Sequence, residues 1–570
     1  MPTVTIDGKA IEFEGRPKSL LQFALDHDIE IPYFCYHPAM SSPTNCRMCL
    51  VEVGFHARDR ATGEFQNDEE GNPIIQWGRK PSTACNTPVG DRMFVKTHRT
   101  SPTIKTAQEG VLEYMLINHP LDCPICDQAG ECPLQIWTYK YGREGSRFEN
   151  LKVHKKKHVE LGPRVILDEE RCINCTRCVR FTEEISKSNQ LTMIGRGDRN
   201  RPATAPGMSF DEPYSMNTID LCPVGALTSK AHRFKARVWE MAYSPAIDMN
   251  DATGSNIYVW VRDNKVMRIT ARKNSEVNEY WIPDAYRLNV DFYNENRTSG
   301  VTVKGMPVPF EDGLKKAAQI LQGAGKDTML LGSAYASLES NFALKQFAEQ
   351  VGISKIYYIP HVEQGAGDGW LMNDDRTPNA AACEMLGFEA LTIEEFKSKA
   401  SKANALYALE NDRALAELGD ALDRMPVIAH STHNSELYTK VDVLLPAALS
   451  IEGEGTFINA KGAAQVSKMA RQIRQMTPEQ WMSIPKSRLD KAAVAVDNWR
   501  NLENIFDVLP SWDLTSRVGR YMGFDLSYKE HRDIFAAAKR EFEVLKDIKV
   551  SYKPSKEAFK FTQLEYAPRW

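Results

Sequence analysis

The placement of the cysteines constrains this chain more than any other feature. Of its twelve cysteines, eleven lie at or before Cys222, and the rest of the 570 residues contains only Cys383. The N-terminus shows no pattern of a secretory signal, so we expect a reducing compartment, where clustered cysteines are more often metal ligands than disulfides. The sequence therefore predicts a metal-binding front part, and Cys383 is interpreted as a small buried core residue.

The first cysteine set follows a pattern typical of a β-grasp ferredoxin. Residues 4–13 alternate as a hairpin around an Asp7–Gly8 turn, and Ser19 is a candidate N-cap for the helix that follows. The cysteines then occur as C-x10-C-x2-C-x35-C, at Cys35, Cys46, Cys49 and Cys85. A [2Fe–2S] cluster needs four thiolates. A structural zinc site is the alternative, and the β-grasp pattern favours iron–sulfur.

The second set combines one histidine with three cysteines. Its spacing is H-x3-C-x2-C-x5-C, at His119, Cys123, Cys126 and Cys132. A neutral imidazole can complete a tetranuclear cluster that three cysteines leave incomplete. Zinc accepts the same donor set, so the motif by itself leaves both alternatives open.

The third set indicates a [4Fe–4S] ferredoxin fold. It reads C-x2-C-x2-C followed at a distance by Cys-Pro, at Cys172, Cys175, Cys178 and Cys222. A two-cluster ferredoxin would carry further cysteines where this chain has Thr182, Glu212, Ser215 and Thr218. We therefore expect one cluster in this module. Eleven cysteines and His119 give twelve ligands, enough for three clusters.

The remaining sequence indicates a soluble scaffold. Net charge is -4, apolar residues make up 42%, and no apolar run reaches the roughly 18 residues of a bilayer-spanning helix. We expect no nucleic-acid binding. Residues 54–80 are interpreted as an inserted hairpin or loop, and the basic run 151–160 as a solvated face.

Periodic patterns predict further elements. Helices are predicted over 102–116 and after Pro133, and alternating apolar residues on either side of Asp263–Asn264 predict a hairpin. Short apolar strands that alternate with helices after residue 327 predict a parallel sheet.

The front part resembles the large iron–sulfur subunit family of NADH:quinone oxidoreductase (respiratory complex I). The resemblance covers residues 1–235 and rests on the stretches IPYFCYHP, NCRMCLVEV, NHPLDCPICDQAGECPLQ, GPRVILDEERCINCTRCVRF and DLCPVGALTSK. It implies that the first set holds one [2Fe–2S] cluster and that the second and third sets hold two [4Fe–4S] clusters. The back part resembles a degenerate molybdopterin-oxidoreductase domain through EGEGTFINAKGAAQ, although Lys461 and Ala463 depart from that pattern.

This resemblance implies a multidomain α+β and α/β fold. We expect a β-grasp ferredoxin domain over 1–98, a helical domain with the histidine-and-cysteine site over 99–145, a [4Fe–4S] ferredoxin-like domain over 146–235, and a molybdopterin-oxidoreductase-like domain without cofactor over 236–570. Some family members have a further cluster early in the last domain. Its ligands are absent here, because no cysteine lies between Cys222 and Cys383.

The resemblance also implies a function as an electron wire without catalytic residues of its own. Electrons would come from a flavin- and NADH-binding subunit and leave to a membrane-proximal ferredoxin-like subunit. The chain would lie peripherally on the cytoplasmic face of the plasma membrane, held by its complex. The sequence contains no G-x-G-x-x-G after a strand and no P-loop, so we expect it to bind neither NADH nor flavin itself.

Three alternatives share parts of this pattern. An iron-only hydrogenase subunit has the same front modules, but the absent second ferredoxin cluster argues against it. A molybdenum formate dehydrogenase needs a metal-ligating cysteine in the α/β domain, for which only Cys383 is available. A zinc-stabilised assembly protein without redox activity is the third alternative.

Overall fold

The computed structural model describes residues 1–298, 300–471, 508–524, 526 and 528–546. The chain divides into two compact units, one spanning Met1–Trp239 and the other beginning at Glu240. The predicted boundaries after residues 98, 145 and 235 stay a prediction. Residues 472–507 and 547–570 of the last predicted domain lie outside the described residues.

The first unit opens with a mixed sheet around one helix. Its strands are β1 (Thr3–Ile6), β2 (Lys9–Glu12), β3 (Leu50–His56), β4 (Ile75–Trp77), β5 (Ser82–Thr83) and β6 (Met93–Lys96). They pair in the order β2-β1-β6-β3-β4, and β1 and β6 run parallel at the centre. Helix α1 (Leu20–Asp26) begins where the Ser19 side chain accepts a hydrogen bond from the Gln22 amide. The predicted hairpin and helix are confirmed.

An ordered arm joins β3 to β4. Isolated bridges pair Arg58 with Phe65 and Asn67 with Pro73, so the arm contains two short local hairpins in succession. The side chains of Asp59 and Asp68 accept backbone amides at the two bends of the arm. The predicted insertion is therefore an ordered arm of two short hairpins, each closed by an Asp-stabilised turn.

Two helices follow the sheet. Helix α2 (Pro102–Leu116) has proline at its first position and is capped by Ser101, whose hydroxyl accepts from the Ile104 amide. Helix α3 (Pro133–Tyr141) also begins with proline. Both predicted helices are confirmed, and the loop between them contains the second ligand set.

The rest of the first unit is built from short elements. A three-stranded sheet contains β7 (Val159–Glu160), β8 (Val165–Leu167) and β11 (Leu227–Ser229), and a small hairpin contains β9 (Thr192–Ile194) and β10 (Arg201–Ala203). Two short helices, α4 (Arg177–Arg180) and α5 (Asn217–Leu221), carry or adjoin the third ligand set. A π-helical turn, Phe181–Ile185, continues α4.

The second unit begins with an antiparallel sheet of β12 (Ala242–Ile247), β13 (Asn256–Arg262) and β14 (Lys265–Ala271). The turn between β13 and β14 places Asp263 and Asn264 at positive φ, as a two-residue hairpin requires. The hairpin predicted around these two residues is confirmed. The short helices α6 (Asp284–Leu288) and α7 (Val290–Asn294) follow.

An eight-stranded sheet forms the centre of the second unit. Its order is β16 (Met306–Val308), β15 (Val301–Val303), β22 (Val443–Pro446), β21 (Val427–Ser431), β20 (Ala405–Leu409), β17 (Thr328–Leu331), β18 (Ile356–Tyr358) and β19 (Glu389–Ala390). The six strands from β22 to β19 are parallel, which confirms the predicted parallel sheet. Strand order reverses between β20 and β17.

Helices cover both faces of this sheet. The apolar core on one face includes residues of α8 (Phe310–Ala324), α9 (Leu338–Val351), α10 (Ala380–Met385), α13 (Ser511–Tyr521) and α14 (His531–Glu541). The core on the other face includes residues of α11 (Ile393–Ala400) and α12 (Asp412–Leu418). A hairpin of β23 (Gly455–Ile458) and β24 (Ala464–Ser467) completes the described elements. None of the described helices combines the length and apolar character needed to cross a membrane.

Candidate functional site

The structure brings the first set together at the loops of the first sheet. Cys35, Cys46 and Cys49 lie on the long loop between α1 and β3, and Cys85 follows β5. All four side chains are buried. The thiols of Cys35 and Cys46 are hydrogen-bonded to each other, as are those of Cys49 and Cys85. Cys49 also acts electrostatically on Cys35, and Cys46 on Cys49, so the four predicted ligands form one group.

Hydrogen bonds between the thiols, together with burial, shift the pKa values of cysteines in this group. The hydrogen bond with Cys85 and then burial raise the pKa of Cys49 well above its usual value. The hydrogen bond with Cys35 lowers the pKa of Cys46 to about 6. The loop also places Thr44 and Arg47 in the left-handed region, at φ 55° and 59°. Such backbone strain next to chemically active side chains is typical of functional loops.

The third set lines a single apolar cavity. Cys172, Cys175, Cys178 and Cys222 all face this cavity, together with apolar side chains such as those of Leu167 and Leu227. Cys172 and Cys175 come from the loop that enters α4, Cys178 lies within α4, and Cys222 is the C-cap of α5. Asn174 and Thr176, on either side of Cys175, have φ of 53° and 62°. The local chain thus curves around the thiols.

Burial dominates the electrostatics of the third set. It raises the pKa of Cys172 to about 12 and that of Cys175 to about 11. Burial also raises the pKa of Cys222, and the backbone amides of residues 224, 226 and 227 oppose it by hydrogen bonding to the sulfur. Amide hydrogen bonds of this kind tune the reduction potential of an iron–sulfur cluster.

The second set lies on the loop between α2 and α3. Cys123 begins a 3-10 turn, the Cys126 amide donates to the Cys123 carbonyl at 3.3 Å, and Cys132 is the N-cap of α3. Burial raises the pKa of Cys132 to about 12, the backbone amides of residues 135 and 134 act to lower it, and the nearby thiols of Cys126 and Cys123 act to raise it. The three cysteines therefore belong to one site.

His119 is suited to metal ligation. Burial, followed by the charges of Arg171 and Lys152, lowers its pKa to about 4, so the imidazole is neutral at physiological pH. Its Nδ1 atom is buried and has no hydrogen-bond partner in the described part of the chain. Arg171 also acts electrostatically on Cys126, which places both side chains around one guanidinium. A buried nitrogen without a partner needs a ligand of its own.

The segment after Cys222 packs against the second set. The Cys132 sulfur lies 3.8 Å from the Pro223 carbonyl oxygen, and a Cβ added to Gly225 would lie 2.1 Å from the Cys126 sulfur. Only glycine permits this approach of two loops. The second and third sets are therefore neighbours connected through four consecutive residues.

The positions of the missing ferredoxin ligands are filled by buried polar side chains. Thr182, Ser215 and Thr218 are completely buried and Glu212 is nearly so. The hydroxyls of Thr182 and Thr218 donate to the carbonyls of Val179 and Ser215. Small hydrogen-bonded side chains thus occupy the place of a second ligand set.

Sequence reasoning missed several residues around these sets. They are the buried Arg171, Arg177 and Arg180, the close-packed Gly225, and the left-handed residues Thr44, Arg47, Asn174 and Thr176. The only signal in the sequence for the arginines is that they lie close to the C-x2-C motifs. Some of the backbone groups that their guanidinium groups contact lie far away in the chain, so those contacts themselves could not be predicted.

The donor sets fit iron–sulfur clusters in number and chemistry. Each supplies four soft or borderline donors from loops, as clusters require. Among the described residues, no three His, Cys, Asp or Glu side chains are close enough to hold a metal ion. A [4Fe–4S] cluster attaches each ligand to a different iron and a [2Fe–2S] cluster attaches two ligands to each iron, so neither brings three side chains onto one metal ion.

The second unit has a separate cavity of about 590 Å³ at the carboxyl ends of its parallel strands. Residues that follow β17, β18, β20 and β21 line it, including Tyr335, His361, Asn411 and Thr432. Open α/β sheets bind ligands at such an edge. Cys383 is elsewhere, buried completely in the apolar core, where burial raises the pKa of its thiol.

Four family models match the chain. Residues 4–90 match a 2Fe-2S iron-sulfur cluster binding domain, 108–147 an NADH-ubiquinone oxidoreductase-G iron-sulfur binding region, and 162–228 a ferredoxin-like domain of NADH-quinone oxidoreductase subunit 3. Residues 243–291 match an NADH-ubiquinone oxidoreductase NDSU1/NuoG-like 4Fe-4S domain, although this stretch contains no cysteine. The fold and its thiol groups thus define an iron–sulfur protein with 2Fe-2S and 4Fe-4S ferredoxin-type domains.

Similar proteins of known sequence identify the family to which this iron–sulfur protein belongs. The G subunit of NADH-quinone oxidoreductase from Rickettsia prowazekii is 32% identical over 492 residues, covering 82% of this chain and 68% of that protein. The NADH-ubiquinone oxidoreductase 75 kDa subunit of Reclinomonas americana is 40% identical over 366 residues, covering 63% of this chain and 49% of that protein. This chain belongs to their family, that of the large iron–sulfur subunit of NADH-quinone oxidoreductase.

The chain spans about half the length of the first curated relatives it matches, 49% in each case. Among solved structures, a chain of an NAD+-reducing [NiFe]-hydrogenase in the H2-reduced state matches 42% of this chain and 91% of its own length. Sequence identity is 27% and the TM-score is 0.32.

Proposed function

We propose that this chain is an iron–sulfur electron-transfer subunit of NADH:quinone oxidoreductase, passing electrons from a flavin and NADH module towards quinone. The observation that carries the proposal is the apolar cavity lined by all four cysteines of the third set. A ferredoxin-type loop surrounds it, and the second set adjoins it through Pro223 and Gly225. Family membership supports the same function.

The twelve predicted ligands divide among three clusters. Cys35, Cys46, Cys49 and Cys85 would hold one [2Fe–2S] cluster. His119, Cys123, Cys126 and Cys132 would hold one [4Fe–4S] cluster, and Cys172, Cys175, Cys178 and Cys222 would hold the other. When bound, such clusters accept and release single electrons. The protein contributes burial, thiolate ligands and amide hydrogen bonds, which set the potentials.

The partners follow from the family. We propose that a flavin- and NADH-binding subunit delivers electrons and that a membrane-proximal ferredoxin-like subunit receives them. The chain would lie on the cytoplasmic face of the plasma membrane through these partners, with no span of its own and no nucleic-acid partner. It binds no NADH itself in this proposal.

The second unit is proposed to be a molybdopterin-oxidoreductase-like scaffold. The stretch 243–291 lacks the thiols that a fourth cluster would need, and Cys383 is buried in the core, away from solvent. We therefore assign no cluster and no molybdenum to this unit.

Metal analysis of the anaerobically purified chain, with low-temperature EPR after dithionite reduction, tests the proposal. We expect about ten irons per chain, no molybdenum, and one binuclear and up to two tetranuclear signals. Zinc in place of iron would refute the electron-transfer function. Stoichiometric molybdenum would instead support the formate-dehydrogenase alternative.

A further inference from the structure

Arg177 and Arg180 are two buried cations on α4, the helix that also carries Cys178. Their exposed fractions are 9% and 7%. Within the described residues, neither guanidinium has a carboxylate within ion-pair distance, and all their hydrogen bonds go to oxygen atoms of uncharged groups. Burying a charge without a partner of opposite sign is costly, so such cations require a nearby anion.

Arg177 connects the first and third ligand sets. One of its terminal nitrogens donates to the Tyr36 carbonyl at 2.6 Å, and the other donates to the Leu221 carbonyl at 3.0 Å. Tyr36 follows Cys35 in the chain, and Leu221 precedes Cys222. The guanidinium therefore spans from the backbone of one set to the backbone of the other.

Arg180 makes a parallel connection. Its guanidinium donates to the carbonyls of Cys35 and Ser41 on the loop of the first set. Although burial lowers the pKa of Arg180, the thiols of Cys175 and Cys35 act to raise it, so one cysteine from each set lies within its electrostatic range. Glu184, whose carboxylate accepts from the Ser41 amide at 2.7 Å, opposes part of this charge.

We propose that Arg177 and Arg180 form a shared cationic bridge that positions the first and third cluster sites and raises the reduction potentials of both. This inference rests on the proposed function. Thiolate-ligated clusters are anionic and gain one further negative charge on reduction, so a fixed cation nearby stabilises the reduced form. The anion that the buried arginines lack is then the pair of clusters.

The test is a potentiometric EPR titration of the full chain, purified anaerobically with its clusters. Arg180→Gln should lower the midpoint potentials of the binuclear signal and of the tetranuclear signal from the third set, while the signal of the His119 set moves less. Arg180→Lys keeps the charge and should restore most of the shift. Arg164→Gln is the matched control, because Arg164 also donates to backbone carbonyls, those of residues 211 and 212, which do not adjoin a predicted ligand.

A second variant changes the charge in the opposite direction without removing the bridge. Glu184→Gln removes the acid that opposes Arg180 and should raise the potentials of both signals. Glu183→Gln, the exposed neighbouring acid, should leave them unchanged. If Arg180→Gln loses iron, so that its potentials cannot be measured, the potentials of Glu184→Gln test the bridge.

Unchanged potentials in Arg180→Gln with full iron content would overturn the bridge, as would a shift in only one of the two sites. A fall or no change in Glu184→Gln would also overturn it. An unmodified chain that contains no iron would instead refute the proposed function, and the bridge with it.

Discussion

At the scale of single residues, most of the candidate cysteine ligands are buried, and burial keeps most of these thiols protonated. Burial raises the pKa of most of the cysteines, including Cys126, Cys132 and Cys172. Metal binding must therefore release protons from thiols that water alone would leave neutral. The residues that shape these pockets matter as much as the ligands.

Gly225 is such a residue. Gly225→Ala would place a Cβ 2.1 Å from the Cys126 sulfur, so the second loop must move. We expect loss of iron and of the EPR signal from the His119 set, with the binuclear signal unchanged. Gly110→Ala is the control, because nothing lies within 4 Å of its added Cβ. Full iron content in Gly225→Ala would contradict the assignment of Cys126.

His119 should set the potential of its own site. His119→Cys replaces a neutral donor by a thiolate, so the bound cluster becomes more negative and its midpoint potential should fall. Potentiometric EPR measures this change. His98→Cys is the control, since His98 also has a buried Nδ1 without a described partner and a lowered pKa but lies outside the cysteine sets. Equal potentials in His119→Cys and the unmodified chain would show that His119 is not a ligand.

At the scale of elements, the arm between β3 and β4 stands apart from the ligand loops. His56 pairs directly with Ile75, so residues 57–74 extend beyond the sheet. Most of the arm is exposed, and its internal order comes from its own turns and from Arg58 and Arg92 stacked on Phe65 at 4.2 and 3.7 Å. An ordered exposed arm is suited to contacting a neighbouring subunit.

Replacing residues 57–74 by Asn-Gly tests this idea, because a two-residue turn closes a hairpin at paired positions. We expect unchanged iron content and EPR spectra but weaker assembly with partner subunits, measured by size-exclusion chromatography of the complex. Loss of the [2Fe–2S] signal would show that the arm supports the cluster instead.

A second element-scale feature is the docking of α14 on α9. His531 Nε2 lies 2.9 Å from a Glu339 carboxylate oxygen, and both side chains are buried. Burial lowers the pKa of His531, but the Glu339 charge outweighs it, so the net pKa is raised above the usual 6.5. The stabilisation is therefore fully present below about pH 6.5 and is lost as pH rises through the folded value.

Thermal unfolding of the chain between about pH 6 and pH 9 measures this contribution. The melting temperature of the unmodified chain should fall with rising pH by more than that of His531→Gln, in which the pair cannot titrate. Parallel pH profiles for the two chains would contradict the assignment.

At the scale of the whole molecule, buried arginines differ in whether a carboxylate of the protein compensates their charge. In the second unit, Glu452 lies between Arg297 and Arg471, and all three side chains are buried. Arg471 Nη1 is 3.1 Å from Glu452. The protein thus supplies its own counter-charge here, in contrast to Arg177 and Arg180.

Removing the central charge should destabilise the second unit. Glu452→Gln leaves two buried cations with reduced compensation, which we expect to cost about 3–5 kcal/mol of unfolding free energy. Glu417→Gln, in an exposed pair with Lys397, should cost less than about 1 kcal/mol. Urea unfolding followed by tryptophan fluorescence measures both, and equal costs would contradict the role of Glu452.

Much of the fold was predictable where local signals coincide. Ser19, Pro102 and Pro133 mark helix starts that the structure confirms, and Asp7–Gly8 and Asp263–Asn264 mark hairpin turns. Such signals depend on the backbone conformations and hydrogen bonds of a few adjacent residues. The strand order of the eight-stranded sheet was not predictable, because pairing depends on contacts between distant segments.

The sequence by itself determined which residue types were available for the site. Cysteine spacing identified three candidate sets, since thiols a few residues apart on a loop can converge on one metal centre. Only the tertiary structure decided what surrounds them. The contact of Gly225 with Cys126, and the reach of Arg177 and Arg180 to residues 35–41, join segments about 100 to 145 residues apart. Spacing within a motif limits local geometry, whereas the charge and packing around a site depend on folding that brings remote segments together.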